Sequence, residues 1–303
     1  MRIVSLLPSL TELVCVLGKR SELVGVTHEC DDPPGVETLP HLTRTRIPAT
    51  ASSAEIDAAV AGQGGSLYEL DGDLLARLRP DLILTQEQCD VCAVNEATVR
   101  RAASALSGAV VVESVNPTDL AGVHALFRRV GDLLGARPAA DALIASFQAT
   151  TAEIARRLAG RPTRSVVLLE WFDPPFDSGH WNPEIIALAG GAEAVGRPGA
   201  PSRRITWDDL ARADPDVVIL SPCGFSVERS EVELPGLFSR PEWSRLKAVQ
   251  NGDVALVDGS SYFSRPGPRL EASLRIASAV IAPDACLDLA PSIGWKRLPP
   301  ARR

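Results

Sequence analysis

The sequence predicts an α/β fold of two Rossmann-like lobes with parallel sheets, joined by a single long helix. Three observations carry that prediction. At 303 residues the chain is long enough for two cores of about 100 to 150 residues each. Short apolar runs alternate with helical patterns in both halves, the order that builds parallel sheets. Between the halves an unbroken helical pattern covers residues 138–158; at 1.5 Å per residue that is roughly 30 Å, enough to run from one lobe into the next.

The elements follow in order. Residues 2–7 form a short apolar strand, and Ser9 with Glu12 three positions on reads as a capping box for a helix to Leu17. A second strand at 23–27 ends in the polar loop HECDDPP. A helix at 70–79 precedes Pro80 and a strand at 81–85, whose continuous apolar run fits a strand covered on both faces. A helix at 96–106, a strand at 109–113 and a helix at 118–134 follow, then the long helix, with Pro138 in its first turn and Gly160 just past its end. The rhythm then starts afresh, with strands at 165–169, 217–221 and 254–257 and helices at 183–189, 207–213 and 270–280. The expected divisions are an N-terminal lobe at 1–116, a helical connection at 117–160, a C-terminal lobe at 161–283 and a tail at 284–303, whose end WKRLPPARR from Trp295 reads as a frayed terminus. The halves share a layout, with no residue-level repeat apparent.

Composition narrows the function classes. Hydrophobic residues make up 45% and the formal net charge is -7, which points away from disorder and from nucleic-acid or anionic-membrane partners. The N-terminal run MRIVSLLPSLTELVCVLG is interrupted by Pro8 and Glu12 and leads straight into the α/β rhythm, so it reads as a strand and helix, not an export signal, and a cytoplasmic location is expected. Phosphate-loop, nucleophile-elbow and HExxH patterns do not occur, and acid pairs such as Asp31 with Asp32 and Asp208 with Asp209 sit beside turns or helix starts. No enzyme is expected.

In parallel sheets ligands bind beyond the carboxyl ends of the strands. The chain has five Trp, two Tyr and seven Phe, yet Trp171, Phe172, Phe176 and Trp181 crowd the loop after the strand at 165–169, and Tyr262 and Phe263 the loop after 254–257. Six of fourteen aromatics in two strand-end loops suggest a large, partly apolar ligand. His180 lies in the first of these loops, as a hydrogen-bonding residue or a ligand to a chelated metal. Six cysteines offer a different reading. Cys89 and Cys92 form CDVC, and Cys30 and Cys223 lie in other strand-end loops, a thiol set that could hold Zn²⁺ or an iron–sulfur cluster or act as a redox pair. No second CxxC or HxxxH completes a ligand set by spacing.

The stretches LLPSLTELV, LRPDLIL, DPPFDSGHWNPEIIALAGG, ADPDVVIL and YFSRPGPRLEASL, in that order, resemble the ABC-transporter substrate-binding proteins for vitamin B12 and iron chelates. The cobalamin-binding type is the nearest in pattern, and the resemblance covers about residues 2–283. It implies two lobes on one helix, with cobalamin or a related corrinoid held in the cleft between them and no cofactor required. It places Pro8 and Ser9 on the first cleft loop, and Glu29 and Gln86 where a cobalamin binder carries aromatic contacts. Phe176, Tyr262 and Phe263 fall on C-lobe contacts, and Arg265 on an arginine that reaches ligand amides or braces its loop. Asp73 and Asp208 fall roughly where exported members carry paired acids that dock on a transporter. Glu29 and Gln86 depart from the pattern and leave another planar chelate open as the ligand.

Overall fold

The computed structural model describes residues 1–62, 67–86, 95–106 and 108–300, which fall into two compact units. Unit 1 comprises Met1–Ala51, Glu55–Pro117 and Ala121–Leu143, and unit 2 comprises Ser52–Ala54, Thr118–Leu120 and Ile144–Arg303.

In unit 1 the chain order is β1 (Ile3–Ser5), α1 (Pro8–Val16), β2 (Leu23–Gly25), β3 (Thr43–Thr45), α2 (Ser53–Gly62), β4 (Tyr68–Leu70), α3 (Gly72–Leu78), β5 (Leu82–Gln86), α4 (Glu96–Ser104), β6 (Val111–Val115) and α5 (Leu120–Leu133). Four strands form one parallel sheet in the order β2-β1-β5-β6. β5 is buried along its whole length, as its apolar run predicts for a strand covered on both faces. Leu75 of α3 and Val99 of α4 pack with Val4, Leu6 and Ile83 to make the core. The edge strand β6 begins two residues later than expected, and β3 and β4 form an antiparallel pair that the sequence did not announce.

α1 corrects the expected capping box. Its N-cap is Leu7, with Pro8 at the first helical position, and no side chain caps it. Proline suits that position because its missing N–H would have had no helical partner. Ser9 is therefore inside the helix, 1% exposed, and its hydroxyl has no hydrogen-bond partner among the described residues.

The long helix α6 (Arg137–Leu158) has 22 residues, and the division between the units falls within it, at Leu143 and Ile144. Unit 2 continues with β7 (Arg164–Leu169), α7 (Asn182–Leu188), β8 (Gly191–Glu193), α8 (Trp207–Ala213) and β9 (Val217–Leu220). Four short helices follow: α9 (Val227–Glu231), α10 (Leu234–Phe238), α11 (Pro241–Arg245) and α12 (Lys247–Asn251). The unit closes with β10 (Val254–Val257), α13 (Leu270–Ile281), α14 (Pro283–Cys286) and β11 (Trp295–Arg297). The sheet order is β11-β10-β9-β7-β8, parallel except for β11. β9 and β10 are wholly buried, and Trp243, Leu210 and Phe172 pack with them. The fraying expected of residues 295–303 is corrected for 295–297, which form a paired strand. α14 and β11 are ordered parts of unit 2, with Ala255 opposite Arg297 and Val257 opposite Trp295.

The units also share a repeat that the sequence reading missed. DLLARLRPDLIL from Asp73 matches DDLARADPDVVI from Asp208, and the geometry matches with it. Leu75 and Leu210 are each buried, and Arg79 and Asp214 both end their helices in the left-handed conformation, φ 44° and 37°, before a proline that cannot continue a helix. Asp81 then accepts the backbone N–H of Arg2 at 2.7 Å and returns its own N–H to the Arg2 carbonyl. Asp216 does the same with Ser165, at 2.8 Å. In each unit one aspartate ties the start of a central strand to the start of its neighbour.

Candidate functional site

β1, β2 and β5 are parallel neighbours, so their carboxyl ends share one edge of the unit 1 sheet; β7, β9 and β10 do the same in unit 2. The expected site residues that fall within the described stretches lie at or near these two edges.

At the unit 1 edge Pro8 and Ser9 are buried at the start of α1, and Gln86, the last residue of β5, is buried as well. After β2, His28 is held by Thr43, whose hydroxyl lies 2.7 Å from Nδ1 and 3.2 Å from the His28 backbone N–H. The His28 ring leans against Tyr68, and the Tyr68 hydroxyl donates to Glu29 at 3.1 Å. Burial pulls the His28 imidazole below its ordinary range despite Glu29 nearby, so it is neutral at pH 7. Tyr68 was not singled out by sequence. Its signal was position alone, at the start of β4, a three-residue strand with too little periodicity to show.

Cys30 is buried, with its thiol 3.1 Å from the Thr11 hydroxyl and 3.2 Å from that of Thr27. Cys223 lies in unit 2, its N–H donated to the Glu170 carbonyl. Cys89 and Cys92 lie outside the described residues. Among the described residues no three His, Cys, Asp or Glu side chains come together to hold a metal ion.

The unit 2 edge is built more elaborately. The segment after β7 folds back on residues 203–205. Phe176 bridges to Trp171 and Arg204, and Asp177 donates its N–H to the Arg203 carbonyl at 2.9 Å while its buried carboxylate accepts the Arg203 backbone N–H at 2.6 Å and the guanidinium at 2.7 Å. Two further carboxylates clamp this loop. Glu170, pushed up in pKa by burial, accepts from the Gly179 N–H, the Asn182 amide and the Ser202 hydroxyl. Glu193, pushed up to about 7 by burial, accepts from the N–H groups of Leu168, Val195 and Gly196 and from the Ser178 hydroxyl. Neither acid was foreseen, although an acid ending an apolar strand, as Glu170 does, is a visible signal.

The predicted aromatics divide into two sets. Phe172, Trp181 and Phe263 are interior, with Phe263 fully buried. The Trp181 indole donates to the Phe263 carbonyl at 2.7 Å, and the Phe263 N–H is taken by Ser273. This joins the loop after β7 to the loop after β10. His180 and Phe263 both hold positive φ, 51° and 64°, conformations that cost about 1 kcal/mol or more for such side chains and persist where surroundings impose them. The second set, Trp171, Phe176 and Tyr262, is partly buried. The Trp171 indole donates to the Ser53 carbonyl, in the short segment grouped with unit 2, and its ring packs on Phe225. Arg265 donates to the Ser260 hydroxyl at 3.3 Å, within its own loop. Burial leaves His180 neutral at pH 7, its ring beside Trp181.

The sequence matches the family model described as "Periplasmic binding protein" over residues 3–260. The chain belongs to the periplasmic binding protein family. No curated protein matches it. Among solved structures it is similar to a periplasmic heme binding protein from Pseudomonas aeruginosa, at 21% identity and a TM-score of 0.71, covering 99% of this chain and 95% of that one. It is similar to the periplasmic heme-binding protein RhuT from Roseiflexus, at 21% identity and 0.69, covering 94% and 98%. The periplasmic vitamin B12 binding protein BtuF of Vibrio cholerae aligns at 18% identity and 0.64, covering 92% and 96%. These likenesses bear out the fold expected from sequence, two α/β lobes on a long helix, and membership makes the chain a ligand-binding protein, not an enzyme.

Proposed function

We propose that this chain binds a large planar metal chelate, cobalamin or a related corrinoid in the first place, at the carboxyl edges of its two parallel sheets. The observation that supports the reading most is the unit 2 edge. Its two loops are joined through Trp181 and Phe263, and each leaves an aromatic, Phe176 or Tyr262, partly buried at the strand ends. Rigid aromatic surface held ready in advance favours a flat apolar ligand, because little ordering cost remains at binding. Pro8, Ser9, Glu29 and Gln86 form the corresponding edge of unit 1 in this reading, with His28 and Tyr68 beside them; His180, Trp171 and Arg265 support the unit 2 loops. The family and the heme and vitamin B12 names of similar structures agree with the ligand class and leave the corrinoid itself as the proposal.

Delivery to an ABC transporter belongs to the same reading. Asp73 and Asp208 are exposed residues at matching places in the internal repeat, each in the first turn of its helix, where an acid also complements the helix dipole. The cytoplasmic location expected from the N-terminal sequence finds no support in the comparisons, whose similar structures are described as periplasmic. The reading therefore favours an extracytoplasmic site of action. Among the described residues no helix is long and apolar enough to cross a membrane.

Equilibrium titration with cyanocobalamin, cobinamide and hemin tests the proposal. Saturable binding of a corrinoid, weakened about tenfold by Phe176→Ala or Tyr262→Ala, is the expected result. Binding of hemin alone keeps the chelate class and replaces the corrinoid; binding of none overturns the proposal.

A further inference from the structure

We infer that the C-terminal segment, through Gly294, is the seat that positions Tyr262 for ligand binding. The inference rests on Tyr262 being a ligand contact, as proposed above. Gly294 holds φ at 81°, a conformation open to glycine and strained for other residues. A Cβ placed on it would lie 2.6 Å from Cε2 of Tyr262 and 3.3 Å from its hydroxyl, so the phenol ring rests against bare backbone. Any larger residue at this position must push the ring away.

The rest of the segment is built to keep that seat in place. The Gly294 carbonyl accepts the N–H of Asp258 at 2.8 Å, and the Asp258 carbonyl accepts the N–H of Tyr262 at 2.9 Å. The Asp258 carboxylate takes the N–H groups of Ser260 and Ser261, both at 2.9 Å. One residue past the glycine, β11 pairs with β10, the strand that leads into this loop. The Trp295 indole closes the preceding turn onto the Pro291 carbonyl at 2.7 Å, and Arg297 reaches the Val280 carbonyl at the same distance. Backbone, turn and ring thus meet at one glycine, which makes Gly294 a positioning residue for the aromatic loop.

The test uses the full chain carrying Gly294→Ala, Tyr262→Ala or both. In ligand-free protein, hydrogen–deuterium exchange of the 258–266 region should rise in Gly294→Ala, while the buried strands β7 and β9 stay as protected as in the parent. Affinity for cyanocobalamin, or for hemin where that is what the parent binds, should fall about tenfold in Gly294→Ala, and the same change made on top of Tyr262→Ala should cost little more, because the ring it displaces is gone. Unchanged exchange at 258–266 overturns the inference, and so does an affinity loss that simply adds to that of Tyr262→Ala. If the parent binds no chelate, the functional reading fails separately, and the exchange comparison still decides whether Gly294 sets the loop.

Discussion

Glu193 receives three backbone N–H groups and one hydroxyl on its carboxylate, and burial still pushes its pKa up to about 7. An unfolded glutamate titrates near 4.3. Between those values the folded chain keeps a proton that the unfolded chain gives up, so stability falls as pH rises from about 4.5 to 7 and levels off above. The full effect is at most on the order of 4 kcal/mol. Urea denaturation of the parent and Glu193→Gln at pH 5 and pH 8 checks it: the variant should show the shallower pH dependence, and equal slopes would contradict the assignment. Trp181 offers a second test at this scale. Trp181→Phe keeps the ring and strands the buried Phe263 carbonyl, which should cost about 1 to 3 kcal/mol, read as a lower urea midpoint.

The elements show which sequence signals were trustworthy. β5, β7, β9 and β10 were legible because a continuous apolar run between turn residues leaves a parallel strand few alternatives. β3 and β4 were not, because TRT and YEL are three-residue strands of mixed polarity. β11 was hidden by composition: WKR reads as a basic end, yet Arg297 spends its charge on Asp253 and on the Val280 carbonyl. The Ser9 capping box failed because Pro8 starts the helix earlier, whereas the acids at Asp208 and Asp209 were read correctly as helix-start residues, Asp209 closing a reciprocal box with Thr206. The two helix starts should therefore respond differently. Ser9→Ala, which removes an unpartnered hydroxyl, should leave stability within about 0.5 kcal/mol, while Thr206→Ala should cost about 1 kcal/mol. Thermal or chemical denaturation of the two variants separates them, and a cost at Ser9 equal to that at Thr206 would contradict the assigned cap.

For the whole molecule, the two-lobed α/β plan was readable from the alternation of elements and the length of α6, and the family model agrees with it. The strand-end loops rich in aromatics were readable as loops after β7 and β10. Which aromatics are interior and which are partly buried was not, because that depends on contacts such as Trp181 with Phe263 that join residues 82 positions apart. The repeat shared by Asp73–Asp81 and Asp208–Asp216 escaped notice because its most similar positions are spread across a helix, a left-handed cap and a strand, and become equivalent when the aspartate-to-strand hydrogen bonds are seen. The matched acids lead to a prediction on transport: Asp73→Lys with Asp208→Lys should leave chelate affinity unchanged and abolish uptake in cells that depend on this protein, and unimpaired uptake would remove both residues from docking. Isothermal titration of the purified chain with cyanocobalamin, with hemin in parallel, should give one-to-one saturable binding of the corrinoid; flat titrations with both would contradict the claim that this chain is a chelate-binding protein.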